Sequence, residues 1–133
     1  MDFGTKRIGV AMSDELLMTA QGLDTIQRKD LKSDLELIGR IIGSNDVAEI
    51  VVGLPLNMNG TYSAMTKEVV LFADELSRTT SVAVKTWDER LTSMQAERAL
   101  LEGDMSRAKR RKLSDKLAAQ IILQSYLDSR KKG

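Results

Sequence analysis

Apolar residues recur at two different spacings along the chain, and each change of spacing marks a new structural element. Across residues 7–13 every second position is apolar, which places Ile8, Val10 and Met12 on one face and predicts a half-buried antiparallel strand. A glycine turn joins this strand to a short one before it, and a further antiparallel strand is expected at residues 20–27. The first part of the chain is therefore predicted to form an antiparallel sheet.

Helical spacing begins after residue 30. The apolar residues of this segment stand at i, i+4, i+7 and i+11, which is typical of an amphipathic helix with one buried stripe. Asp30 is the expected N-cap and Gly43 the expected end of the helix. The stripe consists of Leu31, Leu35, Ile38 and Ile42.

The rest of the chain alternates strands and helices. A continuous apolar strand is predicted at Ile50–Val52, followed by a helix with its stripe at Met65, Val69, Phe72 and Leu76 and by a strand through Val82 and Val84. The next helix is predicted to start at the capping-box sequence Thr92-Ser93-Met94-Gln95 and to end near Gly103. A final helix is predicted from Leu113 to Leu127. This order predicts an α/β fold: a mixed sheet, with three antiparallel strands and then parallel strands, and helices on both faces. Ligands of such sheets bind outside the carboxyl ends of the parallel strands, so the loops after Val52 and Trp87 are expected to face one site.

Composition restricts the chemistry. The 133 residues are expected to form a single domain, residues 1–133. The chain contains no His and no Cys, so catalysis must rest on carboxylates, hydroxyls, amides, Lys and Arg, and oxygen ligands favour Mg²⁺ or Mn²⁺ over zinc, copper or iron–sulfur centres. No apolar run is long enough to span a membrane and no cleavable leader opens the chain, so a cytoplasmic protein is expected.

Three carboxylates are candidates for a metal site. Asp2 precedes the glycine turn, where a carboxylate either bonds its own backbone or approaches a metal or a phosphate. Glu89 stands between a buried strand and a capped helix, as either a loop charge paired with Arg90 or a metal ligand. Asp115 is expected to open the last helix, where the helix dipole alone would favour it, but the alanines three and four residues later indicate an inward face. An inward carboxylate needs a partner, and a shared metal ion would supply one.

Three separated segments resemble one known family in both order and sequence. They are Asp2-Phe3-Gly4-Thr5-Lys6-Arg7-Ile8-Gly9-Val10-Ala11, Trp87-Asp88-Glu89-Arg90-Leu91-Thr92-Ser93 and Asp115-Lys116-Leu117-Ala118-Ala119. Together they resemble the YqgF or RuvX-like family, whose members are described as pre-16S rRNA nucleases and as Holliday-junction resolvases with an RNase H-like fold. The resemblance runs through nearly the whole chain, with one departure: only Met1 precedes Asp2, whereas family members usually carry several apolar residues there.

The resemblance implies a metal-dependent nuclease that hydrolyses phosphodiester bonds, with the 5′ end of precursor 16S rRNA as the expected substrate. Asp2, Glu89 and Asp115 match the catalytic and metal-binding carboxylates of the family. A pair of Mg²⁺ or Mn²⁺ ions held by these residues would stabilise both the attacking and the leaving oxygen of the phosphodiester.

Basic and polar residues beside these carboxylates are the candidates for binding nucleic acid. The expected partner is structured RNA or branched DNA, and no binding to a membrane is expected. The net charge is only +1, but the basic residues cluster, and their phosphate contacts would carry little sequence information. The cluster at residues 107–112 is alternatively the solvated start of a helix, and residues 54–61 a plain connecting loop. The sequence is compatible with either a monomer or a homodimer. The candidates are Thr5, Lys6, Arg7, Asn57, Arg90, Lys109, Arg110 and Arg111.

Other functions fit parts of the sequence. Asp-x-Gly-Thr at residues 2–5 also resembles the phosphate loop of actin-like ATPases and sugar kinases, but those enzymes close two lobes around ATP and 133 residues supply one. A non-catalytic nucleic-acid-binding module for ribosome assembly is a second alternative, because a first strand this short is expected to fray. Resolution of Holliday junctions is the alternative task for the nuclease itself.

Overall fold

The computed structural model describes residues 1–92 and 107–131, without the side chains of residues 107–115 and 131. The predicted helix that starts at Thr92-Ser93-Met94-Gln95 and ends near Gly103 lies, beyond Thr92, outside the described residues. The strands are β1 (Asp2–Phe3), β2 (Arg7–Gly9), β3 (Ala11–Ser13), β4 (Ala20–Gly22), β5 (Ile26–Gln27), β6 (Glu49–Leu54) and β7 (Ala83–Asp88). The helices are α1 (Leu31–Asn45), α2 (Ala64–Thr79) and α3 (Arg107–Lys131), and a 3₁₀ turn follows β7 at Glu89–Leu91.

The antiparallel part of the sheet contains one bulge. β1 pairs with β2, β2 with β5, and β3 with β4, all antiparallel. Ile8 lies opposite Ile26, and Ala11 lies opposite Gly22. The first strand thus advances by three residues where its partner advances by four, so one extra residue bulges out between Gly22 and Ile26. The strands predicted at residues 7–13 and 20–27 are confirmed, each as two short pieces.

Met1 joins the antiparallel strands to the parallel pair β6 and β7. The Met1 amino group donates a hydrogen bond to the Val51 carbonyl at 2.6 Å, and the Gly53 N–H donates to the Met1 carbonyl at 2.9 Å. These two bonds are those of a parallel ladder with Met1 opposite Val52. The strand order is therefore β5-β2-β1-β6-β7, which confirms the predicted mixed sheet.

Helices cover both faces of this sheet. Along β6, Val52 faces α1 and α2, whereas Val51 faces α3, so the continuous apolar run is buried from both sides, as predicted. The core under α1 and α2 includes the Phe3 ring, which stacks on Phe72 with the ring centroids 4.4 Å apart. The core under α3 comprises Val51, Ala118, Ile122 and Tyr126. No described helix is long and apolar enough to cross a membrane.

The end predicted for α1 is wrong. Asp30 caps its start, as predicted, by accepting a hydrogen bond from the Ser33 N–H. The helix continues past Gly43 to Asn45, and Asp46 ends it in the left-handed conformation with φ 54°. The Asp46 N–H donates to the Ile42 carbonyl, so an aspartate takes the C-terminal position that glycine usually fills.

The start predicted for the last helix is also wrong. α3 begins at Arg107, six residues before Leu113, and it ends at Lys131. Asp115 therefore lies in the third turn rather than at the first. The helix dipole acts on charges within the first turn, so it does not explain a carboxylate at this position.

Candidate active site

The turn after β1 is held in one conformation by its backbone. The Gly4 N–H donates to the Arg7 carbonyl at 2.8 Å, and a Cβ at Gly4 would lie only 2.8 Å from that same oxygen. Residue 4 therefore has to be glycine for the turn to close. Thr5 and Lys6 are exposed at the tip of the turn, and Arg7 is half-buried at the start of β2.

Arg28 and Asp34, which the sequence analysis missed, fix the turn from the side of α1. The Arg28 guanidinium donates to the carbonyls of Gly4 and Thr5 at 3.2 Å each, and it lies 4.4 Å from the centre of the Phe3 ring. Its Nε donates to Asp34 at 3.2 Å, and this carboxylate is only 2% exposed. In sequence Asp34 is an ordinary acidic residue in the first turn of a helix, so no local signal marks it.

The side chain of Asp2 belongs to the face of the sheet that α3 covers. Neighbouring residues of a strand point to opposite faces, and Phe3 packs on the opposite side, against Phe72. Because Met1 lies opposite Val52, Asp2 lies beside Gly53, and Gly53 in turn pairs with Trp87. Asp2, Gly53 and Trp87 thus form one row across three strands.

Glu89 opens the turn after β7, and its side chain extends toward Gly53 in this row. The 3₁₀ turn after β7 is closed at one end by Asp88, which accepts from the Arg90 N–H at 2.9 Å. It is closed at the other by Thr92, whose hydroxyl donates to the Glu89 carbonyl at 2.8 Å. A Cβ built on Gly53 would lie 2.9 Å from the Oε1 atom of Glu89. The Glu89 carboxylate therefore occupies the space above Gly53, on the same face as Asp2.

The charges of both carboxylates affect the pKa of the Met1 amino group. Burial lowers the pKa of this ammonium group to about 6, while the charges of Asp2 and then Glu89 act to raise it. Both carboxylates are therefore close enough to act on one cationic group. An arrangement of this kind suits a bound cation, since Asp and Glu offer only hard oxygen donors.

Asp115, the third candidate, is described only by its backbone. It precedes Ala118, Ala119 and Ile122 by three, four and seven residues, and these three are buried against the sheet. Helix periodicity therefore places Asp115 on the stripe that faces the sheet. Its side chain lies outside the described residues, and among the side chains that are described no three metal-ligating groups come together. Its membership in the site stays a prediction.

Arg90 pairs with Asp88 rather than forming the pair with Glu89 that the sequence left open. Its guanidinium donates to both carboxylate oxygens of Asp88, at 2.8–3.1 Å. These hydrogen bonds lower the pKa of Asp88 below its usual value, against the opposing effect of burial. Another guanidinium nitrogen donates to the Met58 carbonyl at 3.2 Å. The loops after β6 and β7 thus meet at one edge, as expected.

The remaining candidates for binding nucleic acid are partly engaged within the protein. The Asn57 amide donates to the Thr61 hydroxyl at 3.0 Å and so helps to close the loop after β6. The backbones of Lys109, Arg110 and Arg111 belong to α3, but their side chains lie outside the described residues. A contact between any of these residues and nucleic acid stays a prediction.

Trp87 is a packing residue. Its indole N–H donates to the Ser125 hydroxyl at 3.1 Å, and its ring meets Tyr126 edge-on with the centroids 5.6 Å apart. Both partners belong to α3. These contacts hold the Trp87 side chain against α3.

Comparison of the sequence with known families gives one match over almost the full length. The sequence model of the RuvX family, described as Holliday junction resolvase, matches residues 1–129. A relative from Carboxydothermus hydrogenoformans is 51% identical over 133 residues, covering 100% of this chain and 96% of its own. Another from Caldanaerobacter subterraneus subsp. tengcongensis is 52% identical over 132 residues, covering 98% and 95%. Both carry the name "Putative pre-16S rRNA nuclease".

Among solved structures, this fold is similar to RuvC. The chain aligns with a structure named "T. thermophilus RuvC in complex with Holliday junction substrate" at a TM-score of 0.54 and 14% sequence identity. The alignment covers 98% of this chain and 92% of the RuvC chain. At that identity the likeness shows the fold alone, which is RNase H-like.

Proposed function

The chain belongs to the RuvX family, and from that membership we propose that the protein is a metal-dependent nuclease that hydrolyses phosphodiester bonds. The family match covers residues 1–129, and relatives named as nucleases share about half of their residues with it. The observation that carries the proposal is the convergence of Asp2 and Glu89 on one face of the sheet. These two residues are distant in sequence, and the fold brings their carboxylates to the same side of β6.

The donor set fits a hard divalent cation. Asp2 and Glu89 belong to the same face of the sheet on either side of Gly53, so a cation near that position would meet favourable charge from both. Asp115 is the proposed third ligand, because the stripe of α3 to which it belongs packs on this face. When bound, Mg²⁺ or Mn²⁺ would stabilise charge on the phosphodiester oxygens during displacement.

Other residues of the chain would position the nucleic acid. Thr5 and Lys6 are exposed next to Asp2, where a hydroxyl and an ammonium group can contact a phosphate. Arg90 presents a guanidinium beside Glu89, held in place by Asp88 and the Met58 carbonyl. The basic residues Lys109, Arg110 and Arg111 at the start of α3 would extend this phosphate-binding surface.

The proposed substrate is precursor 16S rRNA, in the cytoplasm. The names of the close relatives support this task, and the absence of serial aromatic side chains argues against binding by base stacking. Resolution of four-way DNA junctions is the second candidate, favoured by the description of the matching family.

Cleavage of labelled RNA and DNA tests both candidates. The substrates are single strands, duplexes, a four-way junction and a stem that copies the 5′ end of precursor 16S rRNA, each incubated with Mg²⁺, with Mn²⁺ or with EDTA. We expect cleavage of the precursor stem with either metal and none with EDTA.

Each outcome separates the alternatives. Cleavage of the junction alone would assign the protein to resolution, and activity that survives EDTA would remove the metal from the mechanism. Binding of RNA without cleavage under every condition would favour the non-catalytic module.

A further inference from the structure

Gly53 lies within a strand, where glycine is usually unfavourable. It belongs to β6, the strand buried from both sides, and glycine in the interior of a strand lowers stability compared with alanine. Such a glycine often marks a place where another group approaches the backbone closely. Two groups approach it here: Ile122 from α3 and Glu89 from the turn after β7.

The space above Gly53 is filled by the Glu89 side chain. A Cβ at residue 53 would lie 2.9 Å from Oε1 and 3.2 Å from Cγ of Glu89. Both distances are shorter than an ordinary van der Waals contact, so a methyl group would displace the carboxylate. The same Cβ would lie 2.5 Å from Cδ1 of Ile122, but that atom is the end of a flexible side chain and can move.

Gly53 lies in the middle of the row that runs across the sheet from Asp2 to Trp87. Asp2 lies beside Gly53 on one side, through the hydrogen bonds of Met1 with Val51 and Gly53, and Trp87 pairs with Gly53 on the other. Glu89 starts from the far strand of this row, so its carboxylate reaches Asp2 only by crossing residue 53. A side chain at residue 53 would stand between them.

We propose that Gly53 is a positioning residue of the metal site: its missing side chain lets the carboxylate of Glu89 cross β6 and share a cation with Asp2. This inference rests on the proposed metal-dependent function and adds to it a residue that carries no ligand atom of its own.

The test compares Gly53→Ala with the double variant Gly53→Ala/Ile122→Ala. The double variant removes the overlap with Ile122 and keeps the overlap with Glu89. Gly39→Ala is the control, because it makes the same substitution on α1, on the opposite face of the sheet, where nothing lies within 4 Å of the added Cβ. Glu89→Gln reports on the metal site itself.

Two measurements are made on each protein: the affinity for Mn²⁺ by calorimetry, and the melting temperature in EDTA. We expect Mn²⁺ to bind at least about tenfold more weakly to Gly53→Ala and to the double variant, which is the usual size of a supporting-residue effect. Gly39→Ala should bind Mn²⁺ as the original protein does, whatever its melting temperature.

Two results would overturn the inference in different ways. If the double variant binds Mn²⁺ as tightly as the original protein while Glu89→Gln does not, Gly53 serves only the packing of α3 and the proposed metal site stands. If the original protein and Glu89→Gln bind Mn²⁺ equally, Glu89 is no ligand, and the metal site and the role of Gly53 fall together.

Discussion

The carboxylates of Asp2 and Glu89 belong to one face of the sheet, and Gly53, a residue without a side chain, lies between them. The chemistry proposed for this protein thus depends on a small number of atoms that only the folded chain brings together. Two predictions belong to this scale, one on the carboxylates and one on the ion pair beside them.

Replacing each proposed ligand by its amide should abolish cleavage. Asp2→Asn, Glu89→Gln and Asp115→Asn preserve shape and remove a charge, so the fold should stay intact, and at least one variant should melt at a higher temperature in EDTA because like charges no longer repel. A variant with two changes should be about as inactive as a single one, since the residues would act as a unit. Cleavage rates and thermal melts measure both effects.

Asp74→Asn is the control for these variants, because Asp74 is an exposed carboxylate on α2, on the other side of the sheet. It should cleave at the original rate. Full activity in any one of the three amide variants would remove that residue from the site.

The pair of Asp88 and Arg90 should make stability depend on pH. Hydrogen bonds from Arg90 lower the folded-state pKa of Asp88 below its ordinary 3.8, so the pair contributes stability above that value and loses it as the pH falls through the folded-state pKa. Asp88→Asn should therefore melt at a slightly lower temperature than the original protein at pH 6, and the shift should be small because the pair is partly exposed to solvent. The difference should shrink below pH 3.8; a difference that grows on acidification would contradict this sign.

At the scale of elements, one buried ion pair joins a helix to the turn that follows Asp2. Asp34 of α1 is nearly inaccessible, and its partner Arg28 also holds the carbonyls of Gly4 and Thr5. Arg28→Met would leave the carboxylate buried and without its main partner. We expect a loss of about 3 kcal/mol in the free energy of unfolding, measured by urea denaturation.

Arg78→Met is the matched change at the surface. Arg78 pairs with Glu75 at 3.4 Å, with 74% of the Arg78 side chain exposed, and removal of such a pair should cost less than about 1 kcal/mol. Equal losses from the two variants would mean that the pair of Arg28 and Asp34 carries no special weight in the turn.

The sequence predicted elements well where apolar residues mark the buried faces, and poorly where an element begins or ends among polar residues. The apolar run of β6 is confirmed, and the predicted stripe of α1 is confirmed at Leu35, Ile38 and Ile42, which pack in or against the core. It is wrong at Leu31, which is 42% exposed at the start of the helix. The start of α3 was placed too late because its first residues are basic, so apolar spacing begins only at Leu113. The end of α1 was misplaced because Asp46 takes the left-handed conformation that glycine usually provides.

The site follows the same logic. Asp2 and Glu89 could be predicted as site residues because each belongs to a short motif that can be recognised in sequence, and the fold brings them to one face. Gly53 and Arg28 were missed because their importance depends on which residues become their neighbours in space. A glycine at the end of an apolar run was taken for the end of a strand.

At the scale of the whole molecule, charge rather than fold should decide how nucleic acid binds. Replacing Lys109, Arg110, Arg111 and Lys112 by Gln should weaken binding to a similar extent for all sequences. Each phosphate contact contributes roughly 0.7–0.9 to the slope of log affinity against log salt, so the slope should fall by about three. Binding at several salt concentrations gives this slope.

A variant with four cations removed from the other side of the sheet tests whether position or net charge matters. The exposed residues Lys29, Lys32, Arg40 and Lys67 belong to α1, α2 and the loop before α1. Their replacement by Gln should leave the slope unchanged. Equal effects of the two variants would mean that only the total charge matters and that α3 does not face the nucleic acid.

The long separation of the proposed ligands along the chain has a consequence for the time at which activity appears. The ribosome synthesises Asp2 before Val51 and Gly53, the backbone partners of its strand, and before α3. At roughly 5–20 residues per second, the ribosome takes roughly 6–20 s to pass from Asp2 to Asp115. The proposed site therefore stays incomplete until α3 has been synthesised, and no cleavage by the nascent chain is expected before then.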